Sequence, residues 1–389
     1  MLQAARGGRS PVRIALLARR FDPAGGGTER DLIVTAQTLE AAGHDVMVYA
    51  AEVRALWDGG IVRQVAVPRF PRALTLTRFA YLAPGLARRA GADLVMSFAR
   101  VVGADILRSG GGAHISYVRA ARKWRGRLRG SAMWLSPYHR AQMSIERRGF
   151  THPGLRQVVA VSNLVSEDLR RQFGLAPGKL TTLYNGVDLA RFTPAADPHM
   201  RERVRHALGV KPAEPVVIFV GNGFGRKGLG AMLRAWPSLK TAPCLMVVGI
   251  DRAMTGYARL ARRLGVADRV SFLGARENVE DLYRAADVMA APSLSEAFGN
   301  VVMEAMACGL PAMTSAQSGV AELMPPELRD FIVHDPSDPS EIVHRLDALI
   351  EARAGLANVA RSTAERFTWS RYADELLRIV NSVGPGSSS

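Results

Sequence analysis

The sequence predicts an α/β protein built from two doubly wound parallel sheets. Three observations carry this reading: strand-length apolar runs alternate with helix-length amphipathic segments, the alternation is given twice, and several runs are apolar without interruption. A run such as Val216-Val217-Ile218-Phe219-Val220 suits a strand buried on both faces, as in a parallel sheet covered by helices. At 389 residues the chain is long enough for two separate cores at roughly 150 residues per domain.

The strands of the first half are placed at 12–18, 44–51, 61–67, 93–99, 157–162 and 180–184. The rhythm repeats at 215–221, 244–249, 269–274, 287–292, 311–315 and 330–334. Between the halves, Tyr184-Asn185-Gly186-Val187-Asp188 leads into Phe192-Thr193-Pro194-Ala195-Ala196-Asp197-Pro198, a Pro-bearing polar stretch that reads as a linker near 190. The expected domains are therefore 1–190 and 191–368, followed by 369–389, a closing helix with a frayed tail. In that helix Trp369, Tyr372, Leu376, Ile379, Val380 and Val383 share one face, which must pack on something.

Composition excludes several classes. With 48% hydrophobic and 22% charged residues the chain is globular. No apolar stretch approaches the roughly 20 residues of a membrane span, and Val12–Arg20 is too short and too closely flanked by arginines for a signal peptide. A cytoplasmic protein is expected. Its two cysteines, Cys244 and Cys308, lie in separate apolar segments and read as buried free thiols. The formal charge is +16, and residues 1–190 hold 28 Lys and Arg against 13 Asp and Glu, so nearly all the excess is in the first half. Arginine-rich composition accounts for Arg over Lys, but not for a neutral second half. The asymmetry points to a polyanion: nucleic acid, an anionic membrane, or a phosphorylated substrate.

Three loops could carry chemistry. Gly25-Gly26-Gly27-Thr28-Glu29-Arg30 follows the first strand and opens a helix to about 42, as either a tight turn or a phosphate or sugar site. Gly221-Asn222-Gly223-Phe224-Gly225-Arg226-Lys227-Gly228 occupies the same place in the second half. There Arg226 and Lys227 bring two cations to the carboxyl end of the sheet, as a diphosphate clamp would; a solvated basic turn is the plainer alternative. The third loop runs Ser295-Glu296-Ala297-Phe298-Gly299-Asn300-Val301-Val302-Met303-Glu304. It places Glu296 before, and Glu304 one turn inside, a helix starting near Gly299, with backbone N–H groups at 298–301 between them. Carboxylates accept from vicinal sugar hydroxyls, and a diphosphate settles on a helix N-terminus. Read apart from the segment, the pair could be a loop charge and a helix-surface residue.

That third segment, continuing to Ala305-Met306-Ala307-Cys308-Gly309-Leu310-Pro311, resembles the E-x7-E signature of retaining glycosyltransferases of family 4, which have the GT-B fold. Gly223–Gly228, Asn185-Gly186-Val187-Asp188 and Val161-Ser162-Asn163 match as well. Phe21-Asp22-Pro23, Gly25–Asp31 and Gly110-Gly111-Gly112-Ala113-His114 bring it nearest the lipopolysaccharide core glucosyltransferase I group. The resemblance implies two Rossmann-like domains facing across a cleft, with the last helix crossing back to the first. It implies Glu304 on the nucleotide ribose, Glu296 on the donor sugar, and Phe298, Gly299, Asn300 and Val301 on sugar and diphosphate. It further implies Arg226 and Lys227 on the diphosphate, Asn278 and Val279 near the base, and Gly26 and Gly27 approaching from the facing domain. Gly223 falls within the donor loop.

His114 matches the residue that lies beside the reacting sugar in this family. A lone histidine more often serves a structural hydrogen bond, but one after three glycines has little helix or core to serve. The segment from Arg119 to Arg129 holds Arg119, Arg122, Lys123, Arg125, Arg127 and Arg129 without an acid, with Trp124 among them. It suits an anionic bilayer interface, where a phosphorylated lipid acceptor would lie; single-stranded nucleic acid or plain solvent are the alternatives. No Asp-x-Asp pair occurs, so neither a metal nor any cofactor is expected and the cations would stabilise the leaving group.

The expected enzyme moves a hexose, glucose from UDP-glucose, to a lipopolysaccharide core or other envelope glycan by front-side substitution, peripherally on the inner face of the cytoplasmic membrane. Its partners are a nucleotide sugar, a glycolipid or polysaccharide acceptor and an anionic membrane surface, with no nucleic acid. The alternatives are an NAD-dependent oxidoreductase, disfavoured by the missing G-x-G-x-x-G, and a non-catalytic basic nucleic-acid-binding protein.

Overall fold

The structure, a computed structural model, describes residues 11–384 apart from Ala24, Leu56, Asp58, Gly59, Ala196 and Pro212. The tail 385–389, expected to fray, and Ala196 of the expected linker lie outside the described residues. Two compact units result: of the described residues, 11–119, 128–185 and 369–384 form the first, and 120–127 with 186–368 the second.

The first unit carries β1 (Arg13–Phe21), β2 (Asp45–Val53), β3 (Ile61–Gln64), β4 (Leu94–Ser97), β5 (Ile106–Ser109), β6 (Gln157–Ala160) and β7 (Leu180–Thr182). They form one parallel sheet in the order β3-β2-β1-β4-β5-β6-β7. The second unit carries β8 (Val216–Val220), β9 (Cys244–Val248), β10 (Val270–Gly274), β11 (Val288–Ala291), β12 (Ala312–Ser315) and β13 (Ile332–Val333). Its parallel sheet runs β10-β9-β8-β11-β12-β13. Both are Rossmann-like, and each reverses its winding once, between β1 and β4 and between β8 and β11. Ligands of such sheets bind at the carboxyl ends of the strands beside that reversal.

Sequence reasoning passes over β5. Its four residues, Ile106-Leu107-Arg108-Ser109, contain a charge, and that charge is tolerated because Arg108 is buried against Asp31 at 3.1 Å. The chain enters the second unit after Asn185, ahead of the boundary the sequence suggests near 190. The cause is local: Val187 N donates to Phe367 O at 2.9 Å, tying the connector to the end of the second unit.

The closing helix, Trp369–Val383, packs in the first unit. Its Tyr372, Leu376, Ile379, Val380 and Val383 join Leu32, Ala36 and Leu39 of the helix Gly27–Ala41 in the core over β1 and β2. The apolar stripe with a spacing of three and four thus finds its cover. Both cysteines are free, and Cys308 is buried, but Cys244 is only half-buried, at the start of β9. No helix among the described residues is long and apolar enough to cross a membrane.

Candidate active site

The loops that follow β8 and β11 meet at the reversal point of the second sheet. Glu296 is buried there between two cations: Arg226 Nη1 donates to its Oε2 at 2.9 Å, and Lys227 Nζ pairs with the same oxygen. Burial alone pushes a carboxyl upward, but Lys227 and then Arg226 outweigh it and hold Glu296 at about 2. The backbone fixes this arrangement. Leu294 N donates to Arg226 O at 2.8 Å, Arg226 Nη1 donates to Ser295 O at 2.6 Å, and Glu296 N donates to Gln317 O at 2.9 Å. Gly228 has φ +86°, and a Cβ there would sit 2.0 Å from Pro292 O, so only glycine lets the two loops close up. Gly223, with φ +74°, faces open space.

The helix Asn300–Ala307 starts directly after this cluster, with Gly299 as its N-cap at φ +115°. Phe298 O accepts from Val320 N at 2.7 Å and from Ser318 Oγ at 2.9 Å, which anchors the turn and leaves Phe298 buried. Asn300 and Val301 form the helix's first turn, and Glu304 lies one turn in, accepting from the buried Tyr283 hydroxyl at 3.3 Å. Asn278 is the exposed N-cap of the helix Val279–Ala285, so Asn278 and Val279 border the turn after β10. Sequence reasoning missed Arg191, which clamps this turn: its guanidinium meets Glu280 at 2.9 Å and Glu277 O at 2.5 Å. No motif announces that contact, because its partners lie 86 and 89 residues away.

In the first unit Gly26 is the N-cap of the helix Gly27–Ala41, and Glu29 in its first turn pairs with Arg20 at 2.5 Å. His114 corrects one expectation. It does serve a helix, as the first residue of His114–Ala120, and it is buried. Its backbone N donates to Glu146 Oε2 at 2.7 Å, and its Nε2 shares a 2.9 Å hydrogen bond with His139 Nδ1. Burial first, then the charges of Arg100 and His139, pull its pKa down to about 3, so the ring is neutral at pH 7. His114 can therefore give or take a hydrogen bond but not act as a standing cation. Glu146, held by Arg100 at 2.5 Å, is a second residue that sequence reasoning missed.

The basic segment divides between the units. Arg119 and Arg129 belong to the first, whereas Arg122, Lys123, Trp124, Arg125 and Arg127 group with the second. The physical reason is Trp124, which lies over the loop from Gly221 to Gly228: a Cβ on Gly225 would sit 3.4 Å from Trp124 Cβ. The segment's cationic side chains are exposed, as are Leu128 and Leu135 beside them. Among the described residues no cluster of three or more His, Cys, Asp or Glu could hold a metal ion.

Two Rossmann-like units, with an acid and two cations gathered at the reversal point of the second, define a protein of the GT-B fold. Residues 25–191 match the family described as Glycosyltransferase Family 4, and residues 214–352 match Glycosyl transferases group 1. A D-inositol 3-phosphate glycosyltransferase of Salinispora arenicola is 36% identical over 60% of this chain and 59% of its own length, so the chain spans under two thirds of that relative. The lipopolysaccharide glucosyltransferase WaaG of Escherichia coli K12 is 26% identical over 82% of this chain and 84% of its own. A crystal structure of WaaG, a glycosyltransferase involved in lipopolysaccharide biosynthesis, superposes with a TM-score of 0.79 at 25% identity, covering 94% of this chain and 99% of that one. The chain belongs to glycosyltransferase family 4 and is related to the WaaG-like lipopolysaccharide glucosyltransferases.

Proposed function

We propose that the protein is a retaining hexosyltransferase that moves glucose from UDP-glucose to a hydroxyl of a lipopolysaccharide core or other cell-envelope glycan. The observation that carries this reading is Glu296, held ionised between Arg226 and Lys227 at the reversal point of the second sheet. A nucleotide sugar needs a hydroxyl acceptor for its ring and positive charge for its diphosphate, and these three side chains supply both within one hydrogen-bonded cluster. Glu304 takes the ribose hydroxyls, with Tyr283 fixing its carboxylate. The amides around Gly299 and the start of the helix Asn300–Ala307 receive phosphate oxygen. Arg226 and Lys227 stabilise the departing UDP oxygens without a metal. The bond from the anomeric carbon to the phosphate oxygen breaks as the acceptor oxygen approaches from the same face, and the leaving phosphate takes the acceptor's proton. Neutral His114 positions the reacting sugar through its imidazole.

The first test is a thermal-shift panel of UDP-, GDP- and ADP-sugars, with and without chelator. UDP-glucose is expected to raise the melting temperature in both conditions. Glu304→Ala should weaken nucleotide binding by roughly 10- to 100-fold, since it removes a charged hydrogen-bond acceptor. A variant that binds UDP-glucose like the parent would sink the assignment.

The exposed cations between Arg119 and Arg129, with Leu128 at 88% and Leu135 at 81% exposure, support a peripheral seat on the inner face of the cytoplasmic membrane. Each cation near an anionic surface contributes about 1 kcal/mol. Arg122→Glu with Arg125→Glu should release the protein from vesicles of anionic lipid, and sedimentation at equal protein in both samples would argue against the membrane role.

A further inference from the structure

The loop Gly221–Gly228 is anchored at three points within the second unit. At its start Gly221 N donates to Val248 O at 3.0 Å, and Asn222 Oδ1 accepts from Ile250 N at 2.9 Å. At its centre Phe224 is fully buried, its ring edge-on to Phe219 and Tyr257, and its N donates to Asp251 Oδ2 at 2.6 Å. At its end Gly228 closes against Pro292. Gly225 lies between these anchors, directly before Arg226 and Lys227.

What covers Gly225 comes from far earlier in the chain. A Cβ on Gly225 would meet Tyr257 Oη at 3.3 Å and Trp124 Cδ1 at 3.5 Å, so the indole lies within van der Waals reach of the glycine backbone. The chain leaves the first unit after Arg119, rejoins it at Leu128 and in between packs with the second. Within that excursion Arg122, Lys123, Arg125 and Arg127 are exposed, whereas Trp124 is half-buried. Successive residues of the helical turn Arg122–Arg125 point about 100° apart, so the tryptophan can face the loop while the cations face solvent. Charge does not favour this seat, since cations flank Trp124 and two more follow Gly225. The apolar contact of the indole with the glycine backbone and Tyr257 is what holds it.

We propose that Trp124 is a positioning residue for sugar transfer. Seated on Gly225, it fixes the outer turn of the loop, and with it the backbone from which Arg226 and Lys227 reach a diphosphate. It acts through the loop and touches neither sugar nor phosphate. The assignment deepens the glycosyltransferase reading and rests on it only for the nucleoside attached to that diphosphate. Coupling of this kind is reciprocal: a seated indole strengthens diphosphate binding, and a bound diphosphate, by neutralising the two cations beside Gly225, strengthens the seat.

The full-length parent, Trp124→Ala and Trp124→Phe are compared by amide exchange without ligand and by calorimetry with inorganic pyrophosphate and with UDP. Trp124→Ala is expected to speed exchange across 221–228 by about tenfold or more while β8 keeps its protection. It should also weaken both pyrophosphate and UDP by about tenfold. Trp124→Phe, which keeps an aromatic ring on Gly225, should recover most of both effects. In steady-state transfer the loss belongs in the donor KM rather than in kcat. Unchanged exchange at 221–228 in the alanine variant overturns the proposal, and so does faster exchange with diphosphate binding like the parent's. Exchange that rises in β8 as much as in the loop makes Trp124 a general packing residue and overturns it too. Weaker UDP with unchanged pyrophosphate does the same, because Trp124 would then touch the nucleoside itself. A parent that binds neither anion overturns both readings. If pyrophosphate binding depends on Trp124 but no nucleotide sugar binds the parent, the glycosyltransferase reading fails and the positioning role stands.

Discussion

Glu296→Gln is expected to lower sugar transfer by about a hundredfold or more while UDP binds as tightly as in the parent or more tightly. The two effects have opposite signs for one reason. Glu296 is the counter-ion of both Arg226 and Lys227. Removing its charge frees the cations for a diphosphate but takes away the carboxylate that we propose accepts from the sugar. Steady-state transfer and UDP calorimetry read the two separately, and a fall in both together would mean that Glu296 only holds the loop.

The same substitution has a stability signature. Burial raises the carboxyl of Glu296, yet Lys227 and Arg226 bring it to about 2, below an ordinary value of 4.5. A depressed carboxylate contributes stability above its unfolded pKa and loses it as pH falls through the folded one. The contribution is on the order of 3 kcal/mol at pH 7 and should fade between about pH 4.5 and pH 2. The glutamine variant, lacking that titration, should show a shallower acid limb in its melting temperature.

How much of this was legible beforehand depends on whether the cause was local. Val216–Val220 announces a doubly buried strand because all five residues are apolar, and Trp369–Val383 announces its buried face through its spacing. The segment from Glu296 to Glu304 is readable because loop, cap and helix follow one another in the chain. β5 was not, since the burial of Arg108 depends on Asp31 and on Asn185, 77 residues further on. The arginines that line the cavity at the carboxyl ends of the first unit's strands were equally opaque. They are spread from position 19 to position 108 without a common spacing, and only the sheet brings them to one wall. Trp124 read as part of a surface stripe because nothing near it in sequence names Gly225 as its seat. His114 misled in the opposite direction, since three glycines hid that it begins a helix and is buried.

The second large effect concerns the buried ion pair that ties the closing helix to the first unit. Arg108 Nη2 meets Asp31 Oδ2 at 3.1 Å and donates to Asn185 Oδ1 at 2.6 Å, and its guanidinium carbon lies 5.8 Å from the Tyr372 ring centroid. Tyr372 shares a 2.7 Å hydrogen bond with Thr35, one turn beyond Asp31 on the helix Gly27–Ala41. Burial raises the carboxyl of Asp31, and Arg108 is the main influence holding it down. Arg108→Met therefore leaves an acid in the core without its cation, and breaking a buried pair in this way costs about 3–5 kcal/mol. The loss should appear as faster amide exchange across Trp369–Val383, because that helix rests on the pair through Tyr372. Asp31→Leu combined with Arg108→Met removes both charges together and should recover most of the protection, since replacing a whole buried pair by apolar groups is often neutral. If the double variant exchanges as fast as the single one, the cost belongs to the hydrogen bond with Asn185 or to lost packing on Tyr372, and the uncompensated charge is not its source.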